Sequence, residues 1–173
     1  MYLLLPGLLA NMVPPLVRKV PFLAYPVDFG LKWKGKPLLG SHKTFRGLFF
    51  GVLVAVIVCY LQKVLFTYCA WCRQASLLDY SGLNFLLFGF LMGFGALFGD
   101  MVESLLKRRR GIGSGRPWIP WDQVDFVIGS LLFLAIVFVP SWQTIVFLLI
   151  VVPLLHIATN HIGFYLGINK SKW

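Results

Sequence analysis

Apolar residues dominate the chain in five stretches, and polar residues gather between them. A helix needs about 20 mostly apolar residues to cross a bilayer. The candidates run over 1–23, 46–66, 82–99, 124–140 and 143–166. The first carries Pro6, Pro14 and Pro15 and is predicted to kink. Only Pro140, Ser141 and Trp142 part the last two, which predicts an antiparallel hairpin. The third contains Gly89, Gly93, Gly95 and Gly99, two GxxxG spacings that predict close helix packing or close backbone approach to a ligand. The fold class is therefore all-α: a polytopic membrane protein of five transmembrane helices, forming one domain over 1–173.

Charge sets the orientation. The loop 24–45 holds Lys32, Lys34, Lys36 and Lys43, with Arg46 at its edge, and 100–123 holds Lys107 to Arg110 and Arg116. The 67–81 loop holds only Arg73, and the tail adds Lys170 and Lys172. By the positive-inside rule the basic loops and the C-terminus face the cytoplasm and the N-terminus lies outside. "MYLLLPGLLANMV" lacks a basic flank and reads as a membrane segment, not a cleaved signal.

Composition agrees. Of 173 residues, 58% are hydrophobic and 13% charged, against about 25% charged in soluble domains, and mean hydropathy is +0.80. In a membrane chain, the net charge of +10 points to cytoplasmic loops or an anionic-phosphate site, and we expect no nucleic-acid partner. Cys69 and Cys72 form one CxxC without a second pair to complete a zinc site, leaving a local disulfide or two thiols.

Four of the six acidic residues fall in two pairs. Past Gly99, Asp100, Glu103, Ser104 and Lys107 occupy i, i+3, i+4 and i+7, one helix face. The bland account is a surface stripe with a Glu103–Lys107 pair worth a few tenths of a kcal/mol. Across the loop, "WDQVDF" sets Asp122 and Asp125 one turn apart. The helix dipole accounts for Asp122 better than for Asp125, which would carry charge toward hydrocarbon. If the pairs converge, they need cations, and oxygen-only ligands suit Mg²⁺, with Mn²⁺ the alternative. Lys43, Arg46, Lys107 and Arg108 supply positive charge for phosphate. "GIGSG" (111–115) reads as a flexible loop rather than a phosphate cradle. Trp118 and Trp121 read as interfacial anchors, with base stacking the alternative. Asn11, His42, His156 and Asn160 are helix-bridging or substrate-contacting groups, and His161 is structural.

These motifs resemble a known family. "SLLKRR" (104–109) followed by "DQVD" (122–125) resembles the signature of bacterial CDP-diacylglycerol synthases. The chain is more similar to the archaeal CDP-archaeol synthases through "LANMVPP", "LLGSHKTFRG", "GDMVESLLKRR", "IPWDQVDFVIG" and the tail "HIATN…GINKSKW". The resemblance implies a Mg²⁺/CTP site of Asp100, Glu103, Asp122 and Asp125, with Lys107 in the catalytic set. It further implies that Lys43, Thr44, Arg46, Ser104 and Arg108 contact phosphate and nucleotide, and we add Asn11 and Asn160 as substrate contacts. The implied partners are CTP, an isoprenoid ether-lipid phosphate and membrane lipids, and the implied location is the cell membrane with a cytoplasm-facing active site. "RPWIPW" stands where the bacterial pattern has Pro-Gly-His-Gly-Gly. The rival expectations are a CDP-alcohol phosphotransferase, a CTP-dependent lipid kinase and an ion or solute carrier.

Overall fold

The structure, a computed structural model, describes residues 2–113 and 116–165. Among the described residues six helices carry the fold: α1 (Leu5–Leu16), α2 (Phe45–Tyr68), α3 (Ala70–Gln74), α4 (Phe85–Arg109), α5 (Trp121–Leu134) and α6 (Trp142–Tyr165). Single 3₁₀ turns flank α1 on both sides. Among the described residues three helices, Phe45–Tyr68, Phe85–Arg109 and the Trp142–Thr159 part of α6, are long and apolar enough to cross a membrane. The first and fourth predicted spans are shorter than expected. Pro14 and Pro15 occupy the last turn of α1, after which the chain tightens into a 3₁₀ turn. The α5 helix starts at Trp121 and gives way to turns after Leu134, six residues before the expected end at 140.

The 24–45 loop has structure that the hydropathy pattern does not reveal. Lys32–Trp33 and Lys36–Pro37 pair as two short antiparallel strands, β1 and β2. Lys34 and Gly35, both at positive φ, turn the chain between them, the backbone a two-residue hairpin favours. Arg109 holds this hairpin to the end of α4 by donating to the Trp33 and Pro37 carbonyls at 2.9 and 2.6 Å. Asp28, an acid outside both pairs, is buried and accepts from the amides of Gly30 and Leu39, so its role is to shape the loop.

Helix α4 is the centre of the bundle, and its glycines face two ways. A Cβ on Gly89 would lie 2.5 Å from the Val56 Cα, and one on Gly93 would lie 2.6 Å from the Ala55 Cβ, so this pair seats α4 on α2. A Cβ on Gly95 would meet the Gly129 carbonyl at 2.7 Å, and one on Gly99 the Asp125 carbonyl at 2.1 Å. Gly129 answers from α5, where a Cβ would lie 2.1 Å from the Gly95 carbonyl. These contacts confirm the close-packing reading of the GxxxG spacings. They also bring the backbone of α5 against α4 at the level of both acid pairs.

The opposite end of the bundle is closed by Gln62, buried, whose amide donates to the Tyr2 carbonyl at 2.7 Å beside the buried Tyr80. Cys59, Cys69 and Cys72 are all free thiols. A hydrogen bond from the Cys72 side chain holds the Cys69 thiol below its ordinary pKa.

Gly129→Ala forces α4 and α5 apart, because no flexible group can yield to the new methyl. The expected cost is about 1–3 kcal/mol, read as a lower thermal midpoint in detergent. An unchanged midpoint with retained activity would refute the backbone contact.

Candidate active site

The site is assembled at one end of the bundle from three separate stretches. Helix α4 brings Asp100, Glu103, Ser104 and Lys107 on one face. The first turns of α5 bring Asp122 and Asp125. The loop preceding α2 brings Lys43, whose carbonyl accepts from Val27 at 2.8 Å. Thr44 caps α2 by accepting from the Gly47 amide at 3.2 Å, which fixes the chain direction beside Lys43.

The two acid pairs meet. Carboxylate oxygens of Asp100, Glu103 and Asp125 all lie within 4.8 Å of one another. Three carboxylates this close could hold a divalent ion, and an oxygen-only donor set suits a hard one such as Mg²⁺. Asp122 lies outside that trio and joins it through Lys107. The Lys107 ammonium contacts Glu103 Oε1 at 3.0 Å and Asp122 Oδ1 at 2.5 Å. Lys43 donates to Asp100 Oδ2 at 2.6 Å. The second oxygen of Asp122 accepts from the Trp118 amide at 2.9 Å, and Asp125 Oδ1 accepts from the Phe126 amide at 2.6 Å. The surface-stripe account fails here, because Glu103, Ser104 and Lys107 are all buried. Burying charge without partners is costly, and each lysine offsets that cost for an acid.

Two polar cavities open on this cluster. One, of about 270 Å³, is lined by Asn11, His42 and Lys43 with Asp100, Glu103, Ser104, Lys107, Asp122 and Asp125. The other, of about 490 Å³, lies toward α1 and shares Asn11, His42, Lys43 and Asp100 with the first. Its further walls include Thr44, Arg46 and Arg18. Of the expected phosphate contacts, Asn11, Lys43, Thr44, Arg46, Ser104 and Lys107 therefore all face cavity space. Arg108 does not line either cavity, and its Nη1 donates to the Ile112 carbonyl at 2.6 Å, closing the end of α4. Arg46 also donates to the Val20 carbonyl, which leaves only part of its fork for a ligand. The Asn160 side chain lies outside the described residues, as do Ser114, Gly115 and the 166–173 tail. His156 packs near Phe126, with ring centroids 6.5 Å apart.

Sequence reasoning passed over Arg18. It falls inside the first predicted span, 1–23, among apolar residues that drew the attention there. Early termination of α1 turns it into the wall of the larger cavity. His42, by sequence a helix-bridging or substrate-contacting group, lines both cavities.

Helices long and apolar enough to cross a membrane, with carboxylates and lysines packed around a polar cavity at their ends, place this chain in the class of membrane proteins with a charged site. Comparison with known proteins agrees. The family model for CarS-like CDP-archaeol synthase matches residues 1–173. The CDP-archaeol synthase of Methanospirillum hungatei is 35% identical over 156 residues, covering 86% of this chain and 89% of the relative. That of Thermococcus gammatolerans is 35% identical over 175 residues, covering 100% and 94%. A solved structure of an intramembrane enzyme for archaeal membrane lipids biosynthesis superposes with a TM-score of 0.73 at 32% identity, covering 92% of this chain and 90% of that one. The chain belongs to the CDP-archaeol synthase family, and it is a membrane enzyme.

Mg²⁺ or Mn²⁺ at 100 times its dissociation constant should stabilise the purified protein by about 2.7 kcal/mol. The upward thermal shift should vanish in Asp100→Asn and Glu103→Gln. Equal shifts in wild type and both variants would rule out this trio as the cation site.

Proposed function

We propose that the chain is a cytidylyltransferase. It would join CTP to 2,3-bis-O-(geranylgeranyl)-sn-glycerol 1-phosphate, yielding CDP-archaeol and pyrophosphate. The observation that carries this reading is the convergence of Asp100, Glu103 and Asp125, framed by Lys43 and Lys107, at the wall of a polar cavity in a membrane bundle.

The chemistry asks little of a proton-transfer residue. A phosphomonoester has its second pKa near about 6, so at neutral pH the lipid phosphate is already a dianion. Its oxygen bonds to the α-phosphorus of CTP, the α–β bridging P–O bond breaks, and pyrophosphate departs with the electron pair. The obstacle is repulsion between two polyanions, and the remedy is fixed positive charge and orientation. Asp100, Glu103 and Asp125 would hold a divalent ion, with Asp122 completing the acid set. Such an ion would neutralise triphosphate charge. Lys107 holds Glu103 and Asp122 in register, and Lys43 does so for Asp100. As phosphate arrives, both ammoniums are within reach of the same cavity and can contact it. Ser104 and Asn11 offer neutral hydrogen bonds there, while Arg46, Arg18 and Thr44 line the adjoining space for the remainder of the nucleotide.

The topology follows the charges. We place five spans in the cell membrane, α1 and α5 with their flanking turns supplying the two short ones, with the N-terminus outside and the site at the cytoplasmic face. The whole chain acts as a single catalytic domain. Support comes from the alternation of basic and neutral loops. The site also lies at helix ends, whereas carriers place ionisable groups near the bilayer midplane.

Purified protein given CTP, Mg²⁺ and the lipid phosphate should release pyrophosphate and form a CDP-lipid. Release of CDP would instead indicate a kinase, and CMP release from a CDP-lipid a phosphotransferase. Asp100→Asn and Asp125→Asn should each lower turnover by about 10²-fold or more. Full turnover in Asp125→Asn would defeat the assignment. For topology, a membrane-impermeant amine reagent applied to intact cells should spare Lys34 and Lys36. Labelling there would invert the orientation.

A further inference from the structure

The Cys69–Cys72 pair takes no part in the phosphate chemistry. Helix α2 begins beside Lys43 at the carboxylate end of the bundle and finishes at Tyr68, one residue before Cys69. Its 24 residues put the pair about 36 Å from the active site. The Cys69 sulfur accepts from the Cys72 amide at 3.3 Å, and the Cys72 thiol hydrogen-bonds to the same sulfur. Both cysteines are half-buried, next to the exposed rings of Tyr68 and Trp71, so solutes can reach them. Cys59 differs, being wholly buried in the core cluster.

The backbone around the pair is tied down on both sides. The Cys69 amide donates to the Leu65 carbonyl at 2.8 Å, and the Arg73 amide donates to the Cys69 carbonyl at 3.1 Å. The Arg73 guanidinium donates to the Phe66 and Thr67 carbonyls at 3.1 and 2.8 Å. It also sits 5.7 Å from the Phe66 ring centroid, and Phe66 packs on the buried Tyr80. Rotation about side-chain bonds is therefore the motion needed to bring the two sulfurs from hydrogen-bond contact to bonding distance. Among the described residues no His, Asp, Glu or further Cys joins them in a metal-ligand group, and a structural zinc needs four ligands. Thiol chemistry remains, and its nucleophile is the thiolate. The hydrogen bond from Cys72 holds the Cys69 thiol below its ordinary pKa, and the same bond raises that of Cys72.

We propose that Cys69 and Cys72 form a reversible dithiol–disulfide exchange site for soluble disulfides, with Cys69 the attacking thiol and Cys72 the resolving one. The Cys69 thiolate bonds to one sulfur of the incoming disulfide. That disulfide's S–S bond breaks, and the departing thiolate keeps the electron pair and takes a proton from water. Cys72 then releases its proton to solvent and its sulfur bonds to the Cys69 sulfur, which expels the second thiolate. Two cysteine thiols are oxidised to one disulfide, and the incoming disulfide is reduced to two thiols. Excess thiol runs the sequence backwards. On the topology proposed above, this end of the bundle lies outside the cell, where disulfides persist. The site stands independently of the cytidylyltransferase reading, because it shares no residue with the carboxylate cluster.

The full-length protein in detergent is equilibrated with mixtures of reduced and oxidised glutathione, quenched with acid, alkylated and digested with trypsin. Residues 64–73 then form one peptide that holds both cysteines, and Cys59 falls outside it. The doubly alkylated peptide should give way to an internal disulfide as oxidised glutathione rises, and should return when reduced glutathione is restored. In Cys72→Ser a mixed disulfide with glutathione should accumulate on Cys69, since nothing resolves it. In Cys69→Ser the adduct on Cys72 should form about 10-fold more slowly. Serine caps a helix as well as cysteine does, so both variants should keep the thermal midpoint of the reduced wild type. A peptide that stays doubly alkylated at every glutathione ratio would mean inert thiols and overturn the proposal. One that stays disulfide-bonded in excess reduced glutathione would mean a fixed structural bond and overturn it too. Equal adduct rates in the two variants would overturn the division into attacking and resolving thiols.

Discussion

Everything at the active end depends on two helix backbones touching. Gly95 and Gly99 of α4 lie against Gly129 and the Asp125 carbonyl of α5, with no side chain between them. Without a hydrophobic driving force in lipid, such close packing is what holds membrane helices together. Here it has a second result. Because the backbones meet at Gly99 and Asp125, the next helical turns must carry Asp100 and Glu103 past Asp125 at ligand distance. A side chain at either glycine would separate the acids by the thickness of a methyl group.

Bringing like charges together works against folding, and the fold answers with lysines. Lys107 bridges two acids from different helices, and Lys43 reaches a third from the loop before α2. Buried ion pairs contribute little net stability once desolvation is counted, so their significance is positional. They keep carboxylate oxygens pointed inward and leave ammonium groups at the cavity wall. Arg108 and Arg109 behave differently from their neighbour Lys107. One closes the end of α4 and the other clamps the β-hairpin, so a run of four cations serves three structural purposes before any ligand is considered. Arg110 in turn sits over the Trp118 ring, 4.9 Å from its centroid.

Much of this was legible in residue order. Helical spacing placed Asp100, Glu103, Ser104 and Lys107 on one face, and the structure keeps them there. The return of the chain through 100–123 implied that Asp122 and Asp125 would come back to the same end. Hydropathy located α2, α4 and α6 closely, since long uninterrupted apolar runs have few alternatives to a helix. It overran α1 and α5, because apolar residues continue past the point where Pro14 and Pro15 or the Ala135 turn stop the helix. It missed β1 and β2 for the opposite reason: two-residue strands rich in lysine carry no periodic apolar signal.

By itself, the sequence determined the membrane class, the long helices, the identity of the acids and the family to which the chain belongs. Each of these follows from local chemistry or from motifs a few residues long. Only the tertiary structure decided that three of the acids form one cluster while Asp122 is held by Lys107. It also decided that Arg18 and His42 face the cavities. Those outcomes depend on the crossing of α4 and α5 and on where α1 ends. Contacts between distant segments fix both, and no local pattern in the chain encodes them.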